Sequence, residues 1–217
     1  MSRDIVVDDL GIIEYKDAER LQLDCFETKV SAKNLKIQTD NKLFLLEHYP
    51  VYTLGKNADE KNILPIARTS GASFHHISRG GDVTFHGPGQ LVAYPILDLQ
   101  DYNMGVRAYV TALENIGIEL CSSYGIEAKA SDEEGVWVDY GTSKARKIMA
   151  IGIKVSRYIT MHGIAFNVNT DLNYFSFIIP CGIPNKGVTS LQRELGRELD
   201  MNEFKERYVE IFKKYFN

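Results

Sequence analysis

The stretch Arg79-Gly-Gly-Asp-Val-Thr-Phe-His-Gly-Pro-Gly-Gln90 holds four glycines among twelve residues and lies between two apolar segments. Glycine allows a positive φ angle, and it also allows a ligand to approach the main chain closely. A phosphate-binding loop is one interpretation, but the stretch lacks both the Gly-x-x-x-x-Gly-Lys-Ser/Thr pattern and a Gly-x-Gly-x-x-Gly turn that opens a helix. The residues after Gln90 look extended, so no helix N-terminus is directed at an anion. Phosphate binding is therefore disfavoured.

The composition is that of a globular protein of one domain. The chain has 217 residues, 44% of them hydrophobic and 25% charged, and a formal net charge of −4. A chain of this length buries roughly 70% of its unfolded surface, and its charge gives no general reason to expect nucleic acid as a partner. No stretch approaches the ~20 apolar residues of a membrane span. The odd number of scattered cysteines favours a reducing compartment, so we expect a cytoplasmic protein without a membrane partner.

Hydrophobic periodicity predicts grouped strands with few helices between them. Helices are predicted over residues 14–30, with Ala18, Leu21 and Cys25 on one side, over residues 105–123, and after an Asp200-x-x-Glu203 cap. Strands are predicted over residues 42–48, 90–99, 136–138, 147–155, 162–168 and 175–179, and residues 51–56 resemble a turn. Because Pro95 has no N–H to donate, the strand over residues 90–99 is predicted to be an edge strand or to contain a bulge. The pattern predicts a single α+β domain over residues 1–217, with a mixed β-sheet flanked by helices and a C-terminal helix at about 201–217.

Cys181 is the candidate nucleophile. In Pro180-Cys-Gly-Ile-Pro184 it follows an apolar run and is bracketed by proline and glycine, which present the thiol on a fixed backbone. Cys25 and Cys121 fall within helical patterns and look like small core residues. From the spacing alone, a buried structural role for Cys181 is the commoner alternative.

Lys147 and His86 are the candidate partners of a nucleophile. Lys147 opens the otherwise apolar run Lys147-Ile-Met-Ala-Ile-Gly-Ile153, and a cation beside a thiol favours the thiolate. Snorkelling of the lysine to solvent is the alternative. His86 lies in the glycine stretch, where it could instead bond a loop carbonyl, whereas a lone histidine such as His162 is more often structural. The five histidines lack the spacing of a zinc site, so no metal is expected.

Together these motifs resemble the lipoyl (octanoyl) transferase family, whose members are similar in fold to biotin protein ligases and lipoate–protein ligases. The resemblance runs from about His48 to Leu191. It rests on the glycine stretch with the following Leu-Val-Ala-Tyr-Pro95, on Gly135-Val-Trp-Val, Lys147-Ile-Met-Ala-Ile-Gly-Ile-Lys-Val, His162-Gly-Ile-Ala-Phe-Asn-Val and Pro180-Cys-Gly-Ile. Long motifs in a fixed order are far more specific than any single one.

The resemblance implies a ping-pong acyl transfer without a cofactor. Cys181 would take the octanoyl group from octanoyl-acyl carrier protein. The acceptor lysine of a lipoyl domain, in a 2-oxoacid dehydrogenase or the glycine cleavage H protein, would then attack the acyl-enzyme, and Lys147 matches the family position that activates the cysteine. The family's substrate-contacting segments fall on Arg79, Gly80, Gly81, Asp82, Val83, Thr84, Phe85 and His86, on Ala150, Ile151 and Gly152, and on Gly163, Ile164 and Ala165.

An apolar slot suits an eight-carbon chain, because each buried methylene contributes roughly 0.8 kcal/mol. Glycines at 80, 81, 152 and 163 would let that chain lie against bare backbone. Asp82, Phe85 and Met149 depart from the family pattern and are expected to reshape the slot. Four basic residues flank the Lys147 strand and could steer an acidic acyl carrier protein or simply form a solvated rim: Lys144, Arg146, Lys154 and Arg157.

Three other functions share these features. An amidotransferase of the same fold would move octanoyl groups between lipoyl-accepting proteins, again through a cysteine. An ATP-dependent lipoate ligase would need no cysteine, and a fatty-acyl binding module would form no covalent adduct.

Overall fold

The computed structural model describes residues 4–179 and 187–216. In chain order these residues form β1 (Ile5–Ile13), α1 (Tyr15–Asn34), β2 (Asn41–His48), β3 (Val51–Leu54), β4 (Ser73–His76), β5 (Val83–His86), β6 (Gln90–Ile96), α2 (Val106–Ser123), β7 (Ala128–Ala130), β8 (Val136–Val138), β9 (Arg146–Ser156), β10 (Ile159–Asn167), β11 (Gly187–Val188), α3 (Leu191–Leu195) and α4 (Met201–Tyr215). None of the helices in these two ranges is both long and apolar enough to cross a membrane.

The strands form two sheets. The large sheet has the order β1-β2-β6-β10-β9-β8-β7, with β11 beside β9, and the small sheet has the order β4-β3-β5. In the large sheet β1 runs parallel to β2 and β11 runs parallel to β9, whereas the other neighbours are antiparallel. The predicted α+β fold with a mixed sheet flanked by helices is confirmed.

Helices cover both faces of the large sheet. Leu43 and Leu45 of β2 belong to the hydrophobic cluster that contains α2 and α4. Phe44 and Leu46 of the same strand belong to the cluster that contains α1. Alternate residues of a strand point to opposite faces. One strand therefore supplies both cores.

Helix α1 buries Ala18 and packs Cys25 against the core as predicted, but Leu21 lies outside the buried side. Leu21 is 36% exposed, whereas Ala18, Gln22 and Phe26 are buried. Gln22 can be buried because its Oε1 accepts a hydrogen bond of 2.9 Å from the main-chain N–H of His162. A polar residue with such a partner interrupts the apolar pattern, so periodicity alone assigned Leu21 to the buried side in place of Gln22.

Pro95 does not put β6 at an edge, one of the two predicted alternatives, because β6 lies between β2 and β10. The β6–β10 register ends at Ala93 paired with Ile164 and resumes at the bridge between Asp98 and Ile159, so the ladder is interrupted around Pro95, which has no N–H to donate. The hydroxyl of Thr160 then spans the gap. Its Oγ1 donates to the carbonyl of Pro95 at 2.6 Å and accepts from the N–H of Leu97 at 2.9 Å.

Two segments differ from their predicted secondary structure. Residues 51–54, expected in a turn, form β3 at the centre of the small sheet. Most of the predicted strand 175–179 belongs instead to a 3₁₀ helix, Leu172–Phe177. Asp171 caps that helix by accepting a hydrogen bond of 3.0 Å from the N–H of Asn173. This local cap outweighs the strand propensity of the aromatic residues that follow.

Candidate active site

A cavity of about 480 Å³ lies between the glycine stretch and strands β9 and β10. Its lining draws on both sheets, since β5 belongs to the small sheet and β9 and β10 to the large one. Most residues predicted from the sequence line it: Arg79, Gly81, Asp82, Val83, Thr84, His86, Lys147, Ala150, Ile151, Gly152, Gly163, Ile164 and Ala165.

Antiparallel pairing brings two of the predicted segments together. Gly152 pairs with Gly163, Ile151 with Ile164 and Ala150 with Ala165 across β9 and β10. The segments share one wall of the cavity for this reason. Ala150 and Ala165 lie on the same strand face as Gly152 and Gly163, whereas Ile151 and Ile164 point to the opposite face and pack with α2 and α4. The small residues on the cavity side leave room for hydrocarbon.

Gly80, Phe85 and Met149 lie elsewhere. Gly80 is exposed, and its N–H donates to the carbonyl of Ile153 at 3.3 Å. Phe85 is 1% exposed and stacks on Tyr174 with 4.4 Å between ring centroids. Met149 points toward α2, where a Cβ on Gly117 would lie 2.7 Å from its Cε. Phe85 and Met149 are core residues that do not shape the slot directly, contrary to the sequence-based expectation.

The glycines of β9 and β10 make room for protein atoms. A Cβ on Gly152 would lie 2.7 Å from Cδ of Arg79. A Cβ on Gly163 would overlap the carbonyl oxygen of Ala93 and would lie 2.7 Å from Cδ of Pro95. These contacts are tighter than van der Waals packing allows. The packing of the fold is therefore sufficient to require glycine at both positions.

Arg79 shapes the glycine stretch from within. The residue is 8% exposed. Its guanidinium donates to the carbonyls of Gly80, Thr53 and Asp82, each at 2.8 Å, and to Oγ1 of Thr53 at 3.0 Å. Because the guanidinium N–H groups donate to main-chain carbonyls, Arg79 is poorly placed to bind a phosphate. Arg79 holds the small sheet and the glycine stretch in one arrangement.

Asp82 anchors the other side of the glycine stretch. Its carboxylate accepts hydrogen bonds from the N–H groups of Val83 and Asp59, at 2.7 and 3.2 Å, and from the amide of Asn62 at 2.5 Å. The main-chain carbonyl of Asn62 in turn accepts from Ile179 at 2.8 Å. Asp82 therefore connects the cavity rim to the last described residue before position 180.

Lys147 enters the cavity from the end of β9. Its Nζ lies 4.7 Å from the ring centroid of Trp137 and donates to the carbonyl of Glu133 at 3.3 Å. The side chain is half-buried. On its other side the main chain is paired with Val188, and its carbonyl accepts from the N–H of Thr189 at 2.9 Å. Both the Nζ and the main chain of Lys147 are held by other protein groups, so the side chain does not simply extend to solvent.

Cys181 lies outside the described residues. The two described cysteines differ from a reactive thiol. Cys121 is buried in the core of α2, and burial raises its pKa to about 12. Cys25 is half-buried on α1, and burial raises its pKa as well. Neither residue lines the cavity.

Three histidines are buried around the cavity. Burial lowers the pKa of His86 and of His162 to about 3 and that of His48 to about 4, because it disfavours the charged ring. His86 Nδ1 lies 2.8 Å from Oε1 of Gln90, and His48 Nε2 lies 2.8 Å from the hydroxyl of Tyr94. Within the ranges that the structure describes, no group of three or more His, Cys, Asp or Glu side chains is arranged to hold a metal ion.

The sequence missed several lining residues: Tyr15, Gln90, Tyr94, Asn167 and Val188. Gln90 and Asn167 stood inside quoted motifs, and their chemistry as buried amides could have marked them. Tyr15, at the start of α1, comes from a part of the chain that no motif covered. Its placement depends on tertiary packing alone.

The four basic residues do not form one cluster. Arg146 pairs with Glu194 at 2.6 Å and also with Asp139, so its charge is largely balanced inside the protein. Strand β9 has 11 residues and so spans about 36 Å. Lys144 precedes it, whereas Lys154 and Arg157 lie at its far end. The expected single steering patch is wrong.

Solved structures share this fold. LipL1 of P. falciparum in complex with lipoate has a TM-score of 0.72 at 15% identity, covering 98% of this chain and 62% of that longer chain. The bipartite lipoate protein ligase of Thermoplasma acidophilum has a TM-score of 0.69 at 13% identity, covering 98% and 84%. Biotin protein ligase of Aquifex aeolicus, with biotin and ATP, has a TM-score of 0.56 at 14% identity, covering 97% and 70%. The fold is that of the lipoate and biotin protein ligases.

Sequence relatives narrow this class. Residues 22–213 match the model of the lipoyl protein ligase A/B catalytic domain. An octanoyltransferase of Bacteroides fragilis (strain YCH46) is 50% identical over 206 residues, which are 93% of each chain, and one of Christiangramia forsetii is 44% identical, covering 100% and 97%. The chain belongs to the lipoyl protein ligase A/B catalytic family. The predicted acyltransferase activity, octanoyl transfer in protein lipoylation, is confirmed.

Proposed function

We propose that this enzyme transfers the octanoyl group from octanoyl-acyl carrier protein to the acceptor lysine of a lipoyl domain, through a thioester on Cys181. The acceptor would be the lipoyl domain of a 2-oxoacid dehydrogenase or the glycine cleavage H protein. The reaction would take place in the cytoplasm, a reducing compartment that keeps a nucleophilic thiol free.

The position of Lys147 is the observation that carries the proposal. This residue lines the cavity and is held by Trp137 and Glu133. Its strand pairs with Val188, which follows Cys181 closely in the chain and lines the cavity as well. A cation at this place supports thiolate chemistry, because a nearby positive charge favours the ionised form of a thiol.

The proposed chemistry has two balanced steps. The Cys181 thiolate attacks the octanoyl thioester, and the thiol of the carrier protein leaves after taking up a proton. The lysine amine of the lipoyl domain then attacks the acyl-enzyme, an amide bond forms, and the Cys181 sulfur leaves. The amine gives up a proton in this second step. The Lys147 ammonium can pair with the thiolate and give its proton to the leaving carrier thiol in the first step. The neutral Lys147 amine can then accept the proton of the attacking amine in the second step, which restores the ammonium.

The paired wall of β9 and β10 is proposed to hold the acyl chain. Ala150 and Ala165, on the strand face of Gly152 and Gly163, provide small apolar side chains in the cavity. Burying each methylene there contributes about 0.8 kcal/mol. The glycine stretch is proposed to form the opposite wall, in the shape that Arg79 and Asp82 impose on it.

A donor experiment tests the proposal against its alternatives. The enzyme is incubated with an apo lipoyl domain and one of three donors: octanoyl-acyl carrier protein, octanoate with ATP and Mg²⁺, or an octanoylated lipoyl-accepting protein. Octanoyl-acyl carrier protein alone is expected to modify the lipoyl domain. Modification only with octanoate and ATP would identify a ligase, and modification only by the octanoylated protein would identify an amidotransferase. No modification with any donor would point to an acyl-binding module.

A further inference from the structure

A continuous chain of buried hydrogen bonds crosses the cavity wall from Arg79 to Asn167. Arg79 donates to the hydroxyl of Thr53 at 3.0 Å, and that hydroxyl lies 3.2 Å from Nε2 of His86. The His86 Nδ1 lies 2.8 Å from Oε1 of Gln90, and Nε2 of Gln90 donates to Oδ1 of Asn167 at 2.9 Å. All of these side chains are less than a tenth exposed.

Two main-chain carbonyls determine the direction of every bond in this chain. Gln90 Nε2 faces the carbonyl of Phe85 at 3.2 Å, and Asn167 Nδ2 faces the carbonyl of Thr189 at 3.0 Å. A carbonyl only accepts, so both amide orientations are determined. His86 must then donate from Nδ1 to Gln90 and accept at Nε2 from Thr53. The neutral ring that burial favours is the form that this arrangement requires.

The chain ends on the residue that holds the backbone of Lys147. The carbonyl of Thr189 accepts from Asn167, and the N–H of Thr189 donates to the carbonyl of Lys147 at 2.9 Å. Val188, one residue earlier, pairs with Lys147 in the sheet. The side chain of Asn167 is therefore one hydrogen-bonded residue away from the main chain of Lys147.

We propose that Asn167 is a positioning residue for Lys147, acting through the main chain of Thr189. This role rests on the proposed function, in which the Lys147 ammonium must meet the reacting sulfur and amine. A catalytic group loses much of its effect when it is displaced by as little as about 1 Å. Asn167 both donates and accepts at this point. An acceptor alone or a donor alone could not complete the chain.

The variant Asn167→Asp separates hydrogen-bond donation by residue 167 from hydrogen-bond acceptance. An ionised carboxylate still accepts from Gln90, but it cannot donate to Thr189 and it repels the carbonyl there. Burial at this position, where Asn167 is 5% exposed, raises the pKa of the introduced carboxyl group, so lowering the pH toward 6 protonates it and restores the donor. Asn169→Asp is a matched control, because Asn169 also uses its amide to bond a main chain, donating to Leu199 at 2.8 Å and accepting at 3.0 Å. Its bonds lead away from the cavity.

The test measures the reactivity of Lys147 toward acetic anhydride by peptide mass spectrometry, with exposed Lys214 as the internal reference. Labelling is followed from pH 6 to pH 9 in the parent, in Asn167→Asp and in Asn169→Asp. In Asn167→Asp the relative labelling of Lys147 is expected to differ at least threefold from the parent at pH 9 and to approach the parent value at pH 6. In the control it is expected to follow the parent throughout. Labelling in Asn167→Asp that matches the parent at both pH values would overturn the inference.

Kinetics with octanoyl-acyl carrier protein provide the second measurement. The ratio of the kcat of Asn167→Asp to that of the parent is expected to fall as pH rises, with KM for the carrier protein changed less than twofold. A ratio independent of pH, together with unchanged labelling, would leave Asn167 a merely structural role. If the parent transfers no octanoyl group, the proposed function fails, but the labelling still decides the role of Asn167.

Discussion

Gly152 and Arg79 are in such close contact that a Cβ on the glycine would lie 2.7 Å from Cδ of the arginine. The Arg79 side chain crosses the bare backbone of β9 on its way to the carbonyls of Thr53 and Asp82. The glycine stretch can therefore keep its shape only if position 152 of β9 has no side chain. The two walls of the cavity are fitted to each other through this contact.

The variant Gly152→Ala is expected to displace Arg79 and to loosen the glycine stretch. Overpacking of this kind costs about 1–3 kcal/mol in the free energy of unfolding, and octanoyl transfer is expected to fall at least tenfold. Urea unfolding and a transfer assay measure the two effects. Gly105→Ala is the control, because no heavy atom lies within 4 Å of a Cβ there. Full stability and full activity in Gly152→Ala would show that the contact does not matter.

The variant Lys147→Met keeps much of the aliphatic stem and removes the charge. The rate of octanoyl transfer is expected to fall by about 10²–10⁴, the usual contribution of a proton-transferring group. Single-turnover kinetics with octanoyl-acyl carrier protein measure this loss. Lys129→Met, on the exposed pair with Glu127, is expected to retain the parent rate. Equal rates in parent and Lys147→Met would remove Lys147 from the mechanism.

Acyl chain-length preference is expected to depend on Ala150 and to be independent of Phe85 and Met149. Ala150 is half-buried and lines the cavity, whereas the other two side chains are buried in the core. Ala150→Leu narrows the slot, so the preference for octanoyl over hexanoyl donors is expected to fall by about fourfold for each methylene excluded, at ~0.8 kcal/mol each. Competition between the two donors measures this ratio. A shifted ratio in Phe85→Tyr or Met149→Leu would contradict the placement of these residues.

The enzyme is expected to lose stability in mild acid. The pKa of His48 is lowered to about 4, and those of His86 and His162 to about 3, because burial disfavours the charged rings. Below about pH 6.5 the unfolded chain binds protons that the folded chain does not, so the free energy of unfolding falls as pH drops. Each histidine contributes up to about 1.4 kcal/mol per pH unit to this slope between about pH 6 and pH 4.

Urea unfolding at a series of pH values measures this slope. Replacing one buried histidine, in His48→Gln, is expected to reduce proton uptake on unfolding by about one proton near pH 5. Exposed His76→Gln is the matched control and is expected to retain the parent slope. A slope that is the same in all three proteins would show that the buried histidines do not cause the acid sensitivity.

Local patterns predicted the fold class and five of the eleven described strands, whereas most of the cavity lining was predicted from the family resemblance. The C-terminal helix and its cap at Asp200 depend on neighbours within one or two turns, and the structure retains both. The segments 150–152 and 163–165 were predicted from a family resemblance, and their cross-strand pairing explains why they act together. Structural features that depend on residues close in sequence could therefore be predicted from the sequence.

Structural features that depend on contacts between residues far apart in sequence could not be predicted from the sequence. Pro95 looked like an edge residue, but the hydroxyl of Thr160 allows it in an interior strand. Phe85 looked like a slot residue, but Tyr174 stacks on its ring from a remote part of the chain. The hydrogen bond from Asn167 to Thr189 likewise joins a motif residue to a residue 22 positions further along the chain that no motif covers.

The central claim is a covalent octanoyl thioester on Cys181, and intact-protein mass spectrometry tests it directly. After incubation with octanoyl-acyl carrier protein and no acceptor, the enzyme is expected to gain one octanoyl group that hydroxylamine removes. Cys25→Ala and Cys121→Ala are expected to gain the same group, and Cys181→Ala is expected to gain none. An adduct that persists in Cys181→Ala, or a parent enzyme that transfers octanoyl groups without ever carrying one, would contradict the account.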